Sequence, residues 1–340
     1  MRKTLEARLE GLCRKFGYAP YKMSRFEEYE LYVRNKDFLQ SDRVITFSGP
    51  DGRLLAMKPD VTLSIVKNAP EGPGAIRKVH YRENVYRQDE NAGSFREILQ
   101  AGIECVGDAG AYEAAEVVYI AARTLSALGP GTILSLSHVG LIRWALEVSG
   151  LPQHTRKQAL ECLGQKREQE LRALCAENGA DETLLLTLLR ARSIGELEAM
   201  NGCEALEELR TIVALLDPAQ VRLDFSLGND MKYYSGLVFK GFVRGVPTSV
   251  LSGGQYDRLL TQMGKKARAI GFAVYLDRLP ESDGGWDVDT LLLTGDAAPA
   301  EILAAADNLP GTVLAAKTEP ADRVWKRKAI LEDGEVRFID

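Results

Sequence analysis

Apolar residues in the first part of the chain fall into two rhythms. Leu5, Leu9, Leu12 and Phe16 recur at spacings of four, three and four, which sets them on one face of a helix, and Gly17 follows as a residue suited to end it. The runs 44–47 and 54–57 flank Gly49-Pro50-Asp51-Gly52 and predict two strands around a tight turn. The stretch 61–68 predicts a short helix, with Asp60 or Thr62 available as its cap. From 76 to 86 the pattern is that of a strand carrying Val79, Tyr81 and Val85; after the polar segment 88–94 a second strand-like run goes from Phe95 through Ile98, Leu99, Ile103 and Val106. The two predict a long antiparallel hairpin with a polar tip. Residues 112–128 then read as an alanine-rich helix closed by Gly129-Pro130-Gly131, 133–136 as a strand and 139–149 as a helix.

Between about 152 and 216 the chain turns rich in Leu, Glu and Arg at helical spacing, with almost no strand signal, and the charged run 165–170 reads as a solvated helix face. Strand signals return at 221–225, 236–239 and 248–251. Gly253-Gly254 then reads as opening a helix with Tyr256, Leu259 and Leu260, followed by a strand at 269–274 and a helix beginning at 275–279. Residues 280–285 have linker composition, and 290–293, 299–306, 312–315 and 323–330 suggest a small β-α-β appendage. The expected fold is α+β: a core of antiparallel sheet flanked by helices over 1–151 and 217–281, a helical insertion over 152–216, and a small C-terminal α/β domain over 286–340.

Composition narrows the function. A chain of 340 residues with 45% hydrophobic content can bury a large core. No run approaches the roughly 20 apolar residues of a membrane span, and the first residues, Met1 to Glu6, lead into no apolar signal segment. Five cysteines without a C-x-x-C pair fit neither a disulfide framework nor a zinc site. The expectation is a cytoplasmic protein with no metal and no cofactor. The net charge of −5 gives no sign of a nucleic-acid-binding face. Phosphate-loop, dinucleotide, nucleophile-elbow and zincin motifs are missing, and His80, His138 and His154 are scattered. What stands out is a set of polar residues in apolar, strand-like segments: Arg87, Gln100, Glu104, Tyr233 and Tyr234. Gln100 and Glu104, four apart, share one face of a regular strand, and inward charges need partners. Arg, Glu and Gln together suit a zwitterionic ligand, the Arg meeting a carboxylate or phosphate; a structural ion-pair network is the alternative on these residues alone.

Five segments, in order, resemble the histidyl type of class II aminoacyl-tRNA synthetase. Residues 81–107, YRENVYRQDENAGSFREILQAGIECVG, resemble its second motif; Lys58-Pro59-Asp60-Val61-Thr62 is similar to R-P-E-x-T; 231–239 resemble L-D-Y-Y-x-x-T-V-F; Ser252-Gly253-Gly254-Gln255-Tyr256-Asp257 resembles G-G-G-R-Y-D; and 271–279 resemble the third motif, G-F-x-x-G-x-E-R-L. The resemblance covers residues 1 to about 280 and implies a histidine site at Asp60, Thr62, Arg87, Gln100, Glu104, Tyr233 and Tyr234, with Asp60 in the place of a Glu. On the nucleotide side it implies residual contacts at Asp89, also in place of a Glu, and at Arg278, which would stack on adenine. The catalytic arginine of the family falls on Asn229, and Ser94 and Gln255 replace two further arginines. Losing one preorganised donor of this kind typically costs roughly 3–4 kcal/mol of transition-state stabilisation.

The family's anticodon-binding domain also has a poor counterpart: residues 287–340 hold eleven acids against six Lys and Arg, a net of −5, the wrong sign for phosphate. This pattern resembles the regulatory subunits of ATP phosphoribosyltransferase, synthetase paralogues of histidine biosynthesis. That implies no catalysis by the chain alone, a short-form ATP phosphoribosyltransferase catalytic subunit as partner in a hetero-oligomer, histidine as allosteric ligand, and homodimerisation through residues 1–57. Neither tRNA nor a membrane is an expected partner. The alternative is an active ligase: a divergent histidyl-tRNA synthetase, or a paralogue adenylating an amino acid for another acceptor.

Overall fold

Leu5, Leu9 and Leu12 are buried along one face of α1 (Arg2–Lys15), and Gly17, at φ +75°, turns the chain out of it. Burying each such leucine contributes about 1.5–3 kcal/mol. The computed structural model describes residues 2–39, 43–88, 94–200, 202–230, 233–279, 288–321, 323–332 and 334–339. They form two units, Leu5–Leu279 and Pro280–Asp340, the latter grouped with Met1–Thr4. No described helix is long and apolar enough to cross a membrane.

After α1 come β1 (Ala19–Pro20), β2 (Phe26–Glu28), α2 (Tyr29–Arg34), β3 (Thr46–Ser48) and β4 (Leu54–Met57). The turn before β4 uses Gly52 at φ +78°, and β3 and β2 pair antiparallel on either side of β4. The short α3 (Thr62–Val66) is buried throughout, and the Leu63 N–H donates to the Asp60 carboxylate at 2.9 Å, so Asp60 caps the turn.

The predicted hairpin is β5 (Ile76–Gln88) with β6 (Phe95–Gly107), paired in register from Ile76↔Gly107 to Gln88↔Phe95; most of the expected tip, 89–93, lies outside the described residues. Then follow α4 (Ala111–Ser126), β7 (Thr132–His138) and α5 (Val139–Val148). The stretch from 153 to 213 carries α6 (Gln153–Gly164), α7 (Glu168–Glu177), α8 (Thr183–Arg190) and α9 (Glu204–Val213). β8 (Val221–Leu223), β9 (Leu237–Val243), β10 (Leu251–Gln255), α10 (Asp257–Gln262) and β11 (Arg268–Tyr275) complete the larger unit. Its main sheet has, among the described residues, the order β1-β5-β6-β11-β10-β9-β7-β8. Pairing is antiparallel from β5 to β7 and parallel at the two edges. α4 packs on β7, β9 and β11, and Gly241 of β9 makes room: a Cβ there would lie 2.6 Å from Leu125 of α4.

Three local expectations change. Gly253-Gly254 does not open a helix; both sit inside β10. A Cβ at Gly253 would lie 2.4 Å from the Gly271 carbonyl oxygen, and one at Gly254 2.4 Å from that of Leu237, so these glycines serve close approach within the sheet, and the helix waits until Asp257. Residues 276–278 form a single 3-10 turn after β11. In the run 165–170 only Glu168–Glu170 are helical, as the start of α7; 165–167 form a turn with Lys166 at φ +55°, and the run is tied down by Lys166 to Asp224 at 3.0 Å and by Glu168 to Arg172 at 3.1 Å and to Arg190.

The smaller unit contains β12 (Val288–Leu293), α11 (Pro299–Asp307), β13 (Val313–Ala316), β14 (Trp325–Glu332) and β15 (Glu335–Ile339) in the sheet order β13-β12-β14-β15. β13, β12 and β14 run parallel; β15, unforeseen in the sequence, closes the edge antiparallel. Leu292, Ala305, Ala329 and Leu331 form its core. The expected linker, 280–285, lies outside the described residues.

Candidate ligand pocket

A cavity of about 510 Å³ opens on the face of the main sheet formed by β5, β6 and β11. β6 places Gln100 and Glu104 on its floor, the end of β5 supplies Arg87, and the entry to α3 supplies Asp60 and Thr62. Tyr233 and Tyr234, just before β9, form another wall, and Arg278 stands at the 3-10 turn after β11. The structure therefore brings together all seven residues expected at an amino-acid site, with Arg278 beside them. Asp89 lies outside the described residues. Asn229 is in the 3-10 helix Phe225–Asp230, but its side chain is outside the described set.

Glu104 faces Gly271 across the β6–β11 pair. A Cβ at that position would lie 1.7 Å from Glu104 Oε2, so glycine is what lets the carboxylate lie over β11. Thr62 donates its hydroxyl to Glu104 Oε1 at 2.8 Å, and the Tyr256 hydroxyl donates to Oε2. Burial nevertheless pushes the Glu104 carboxyl up to about 8, against the pull of these two donors, and the negative Asp60 adds to the rise. Asp60 is also raised by burial, although Arg87 Nη2 stands 3.9 Å from its Oδ2 and opposes the shift. Arg87 Nε donates to the Pro59 carbonyl at 2.8 Å, which fixes the guanidinium at the cavity wall. The Gln100 amide is 2% exposed, and its Nε2 has no hydrogen-bond partner. Leaving such a donor unmade costs about 1–3 kcal/mol, so it stands ready for an acceptor on a ligand.

Aromatic rings close this end. Tyr233 packs edge-on against Phe38 at 5.6 Å and Tyr234 at 4.7 Å, with Tyr256 at 6.0 Å. Burial holds the hydroxyls of Tyr81, Tyr233 and Tyr256 protonated. At the other end Lys240, Ser252, Tyr275 and Arg278 line the cavity. The Arg278 guanidinium lies over the Tyr275 ring at 4.0 Å and donates to the Ser249 carbonyl; Tyr275 and Ser252 share a hydroxyl hydrogen bond of 2.9 Å. The Asp277 carboxylate accepts from the Leu99 N–H at 2.6 Å and ties the turn to β6.

Gln255, which stands where the resemblance has an arginine, does not line the cavity. Its Oε1 accepts from the Leu237 N–H at 2.7 Å, and its Nε2 donates to Glu208 Oε1 of α9 at 3.3 Å. Glu208 also meets His138 Nε2 at 3.1 Å, while His138 Nδ1 caps α5 by accepting from Gly140. None of the three histidines lines the cavity. Among the described residues no group of three His, Cys, Asp or Glu could hold a metal ion.

Sequence reasoning missed Phe38, Tyr81, Lys240, Ser252, Tyr256 and Tyr275 as wall residues. Tyr256 reads as helix core from its spacing, yet it donates a proton to Glu104 from a point 152 residues away in sequence. Taken together, two buried carboxyls, a guanidinium, an unpaired amide and a wall of phenols suit a small zwitterion with a polar ring.

The chain is 27% identical over 293 residues to an ATP phosphoribosyltransferase regulatory subunit of Acetivibrio thermocellus, covering 80% of this chain and 70% of that one. It is 26% identical over 324 residues to a histidine–tRNA ligase of Methanoregula boonei, covering 92% and 74%. Its fold is that of a chain in the ATP phosphoribosyl transferase complex from Thermotoga maritima, with a TM-score of 0.65 at 20% identity, over 80% of this chain and 96% of that one. The family described as histidyl-tRNA synthetase matches residues 1–279, and the chain therefore belongs to the histidyl-tRNA synthetase family.

Proposed function

We propose that the cavity binds histidine and that the chain is a cytoplasmic regulatory subunit of ATP phosphoribosyltransferase, acting on a separate short-form catalytic subunit. The observation that carries this reading is the division of the cavity. Its amino-acid half is complete: Asp60, Thr62, Arg87, Gln100, Glu104, Tyr233 and Tyr234 all face one space. Its nucleotide half has lost charge, because three places where the resemblance has arginines hold Asn229, Ser94 and Gln255, and the Gln255 side chain is engaged with Leu237 and Glu208 instead. With Lys240 and Arg278 the cations that line that end, the charge that develops during adenylation loses the donors those arginines would supply.

In the proposed complex the Gln100 amide and Arg87 meet polar and carboxylate atoms of histidine, and Glu104 meets an N–H. Glu104 would give up its proton on meeting a cationic donor. Relatives with both names match at similar identity, so names alone do not separate a regulator from a ligase; the divided cavity favours the regulator. The complex named for the Thermotoga maritima chain supports a catalytic partner. Homodimerisation is supported by an apolar patch within 1–57: Phe26 and Phe47 stack edge to face at 5.3 Å on the small sheet, next to the exposed Leu54.

Two measurements on the purified chain test the pocket reading. Calorimetric titration with histidine is expected to show saturable binding, and magnesium-dependent exchange of pyrophosphate into ATP in the presence of histidine is expected to be absent. Exchange by the wild-type chain would overturn the regulatory reading in favour of the ligase.

A further inference from the structure

Arg278 is exposed, whereas Tyr275 is only 5% exposed and lines the cavity. The guanidinium lies over the ring, 4.0 Å from its centroid, and both residues line the cavity. That is a stacking distance, and a guanidinium face so occupied cannot stack on a second planar ring at the same place. Both partners are tethered. The Tyr275 hydroxyl is bonded to Ser252 of β10 at 2.9 Å, and Arg278 to the Ser249 carbonyl. Tyr275 also closes the strand, since its register partner on β6 is Gln100, on the floor of the amino-acid half. In the third-motif pattern to which 271–279 are similar, this position is glycine, which would leave no ring under the arginine.

We propose that Tyr275 is a built-in occupant of the nucleotide half. Its ring takes the place of a purine base under Arg278, so that the cavity admits an amino acid without a nucleotide. Tyr275 is then a specificity-determining residue, and the loss of nucleotide chemistry has a steric cause as well as an electrostatic one. The inference deepens the regulatory reading of the same cavity, on which it rests for its meaning, but it is measured separately.

The test is calorimetric titration of the full chain with AMP, in wild type, Tyr275→Phe, Tyr275→Gly and Tyr275→Ala. The Ala variant keeps a Cβ in β11 and serves if Gly unfolds the strand. Wild type and Tyr275→Phe, which both keep the ring, are expected to show no saturable AMP binding at millimolar concentration. Tyr275→Gly or Tyr275→Ala is expected to bind at least tenfold more tightly, and adding Arg278→Ala to that variant is expected to abolish the gain. Saturable AMP binding by wild type that either small residue leaves unchanged overturns the proposal, as does a cooperatively folded small-residue variant that gains nothing. Histidine titrated in parallel keeps the two claims apart. Failure of wild type to bind histidine would sink the regulatory reading and leave the nucleotide result standing.

Discussion

Glu104 carries two hydroxyl donors, from Thr62 and Tyr256, and its pKa is still pushed up to about 8 because the cost of burial outweighs what those two donors return. In the unfolded chain the same carboxyl ionises in the ordinary carboxylate range. Between these limits the folded chain keeps a proton that the unfolded chain has released. The stability Glu104 contributes is thus complete below the ordinary range and is lost as pH rises through about 8. Glu104→Gln keeps the neutral state at every pH, so its thermal midpoint is expected to fall less than that of wild type between about pH 5 and about pH 9; equal slopes would contradict this. The same substitution is expected to weaken histidine binding by roughly 10- to 100-fold, the scale of one hydrogen bond to a charged group, as read by calorimetry. At this scale the sequence was informative for one reason. Arg87, Gln100 and Glu104 are polar residues on the inward side of strands that also carry Val79, Tyr81, Val85, Ile103 and Val106, and inward polar residues need a partner or a ligand. Tyr256 and Tyr275 gave no such signal, because an aromatic residue in an apolar run is ordinary core by pattern; only the fold reveals their roles.

At the scale of elements, the pairing of β6 with β11 sets the site, because it puts Gly271 opposite Glu104 and Tyr275 opposite Gln100. A Cβ at position 271 meets the Glu104 carboxylate at 1.7 Å and the Ile103 carbonyl at 2.5 Å, and the second of these is backbone that cannot swing aside. Gly271→Ala is therefore expected to destabilise the chain by about 1–3 kcal/mol, as overpacking does, measured from the urea midpoint; an unchanged midpoint would contradict the packing argument. The small sheet of β2, β4 and β3 presents Phe26, Phe47 and Leu54 to solvent at 45%, 37% and 46% exposure. If this face joins two copies, Phe47→Glu is expected to convert a dimer to a monomer in light scattering, and a variant that stays dimeric would place the interface elsewhere. Long elements such as the hairpin and α4 are legible from periodicity. Gly253-Gly254 misleads because the pair reads locally as a helix opening, whereas its purpose is tertiary: it lets β9, β10 and β11 approach. β15 escapes because it is five residues long and Glu335 and Arg337 leave only Val336, Phe338 and Ile339 to mark it.

Across the whole larger unit the pocket is mechanically tied to two other surfaces. α3, which carries Thr62 into the cavity, also holds the small sheet: Ser64 donates to Glu27 at 3.0 Å, and Lys67 pairs with the same carboxylate at 2.5 Å. On the other side Gln255 reaches Glu208, and Glu208 reaches His138, linking β10 to α9 and α5. A ligand that rearranged α3 or β10 would therefore act directly on elements outside the cavity, and a coupling of about 1–3 kcal/mol is the usual size of such effects. The sequence conveys the order of the motifs and hence the family. It does not convey these links, because each joins residues far apart in the chain.

The central claim is that this chain controls a catalytic partner through histidine. It is tested most directly by pyrophosphate released from ATP and phosphoribosyl pyrophosphate by a cognate short-form catalytic subunit, alone, with this chain, and with histidine titrated in. The account predicts a higher rate with the chain, suppression by histidine, and a shift of that suppression to at least tenfold higher histidine with Glu104→Gln. A rate that neither the chain nor histidine changes would contradict it.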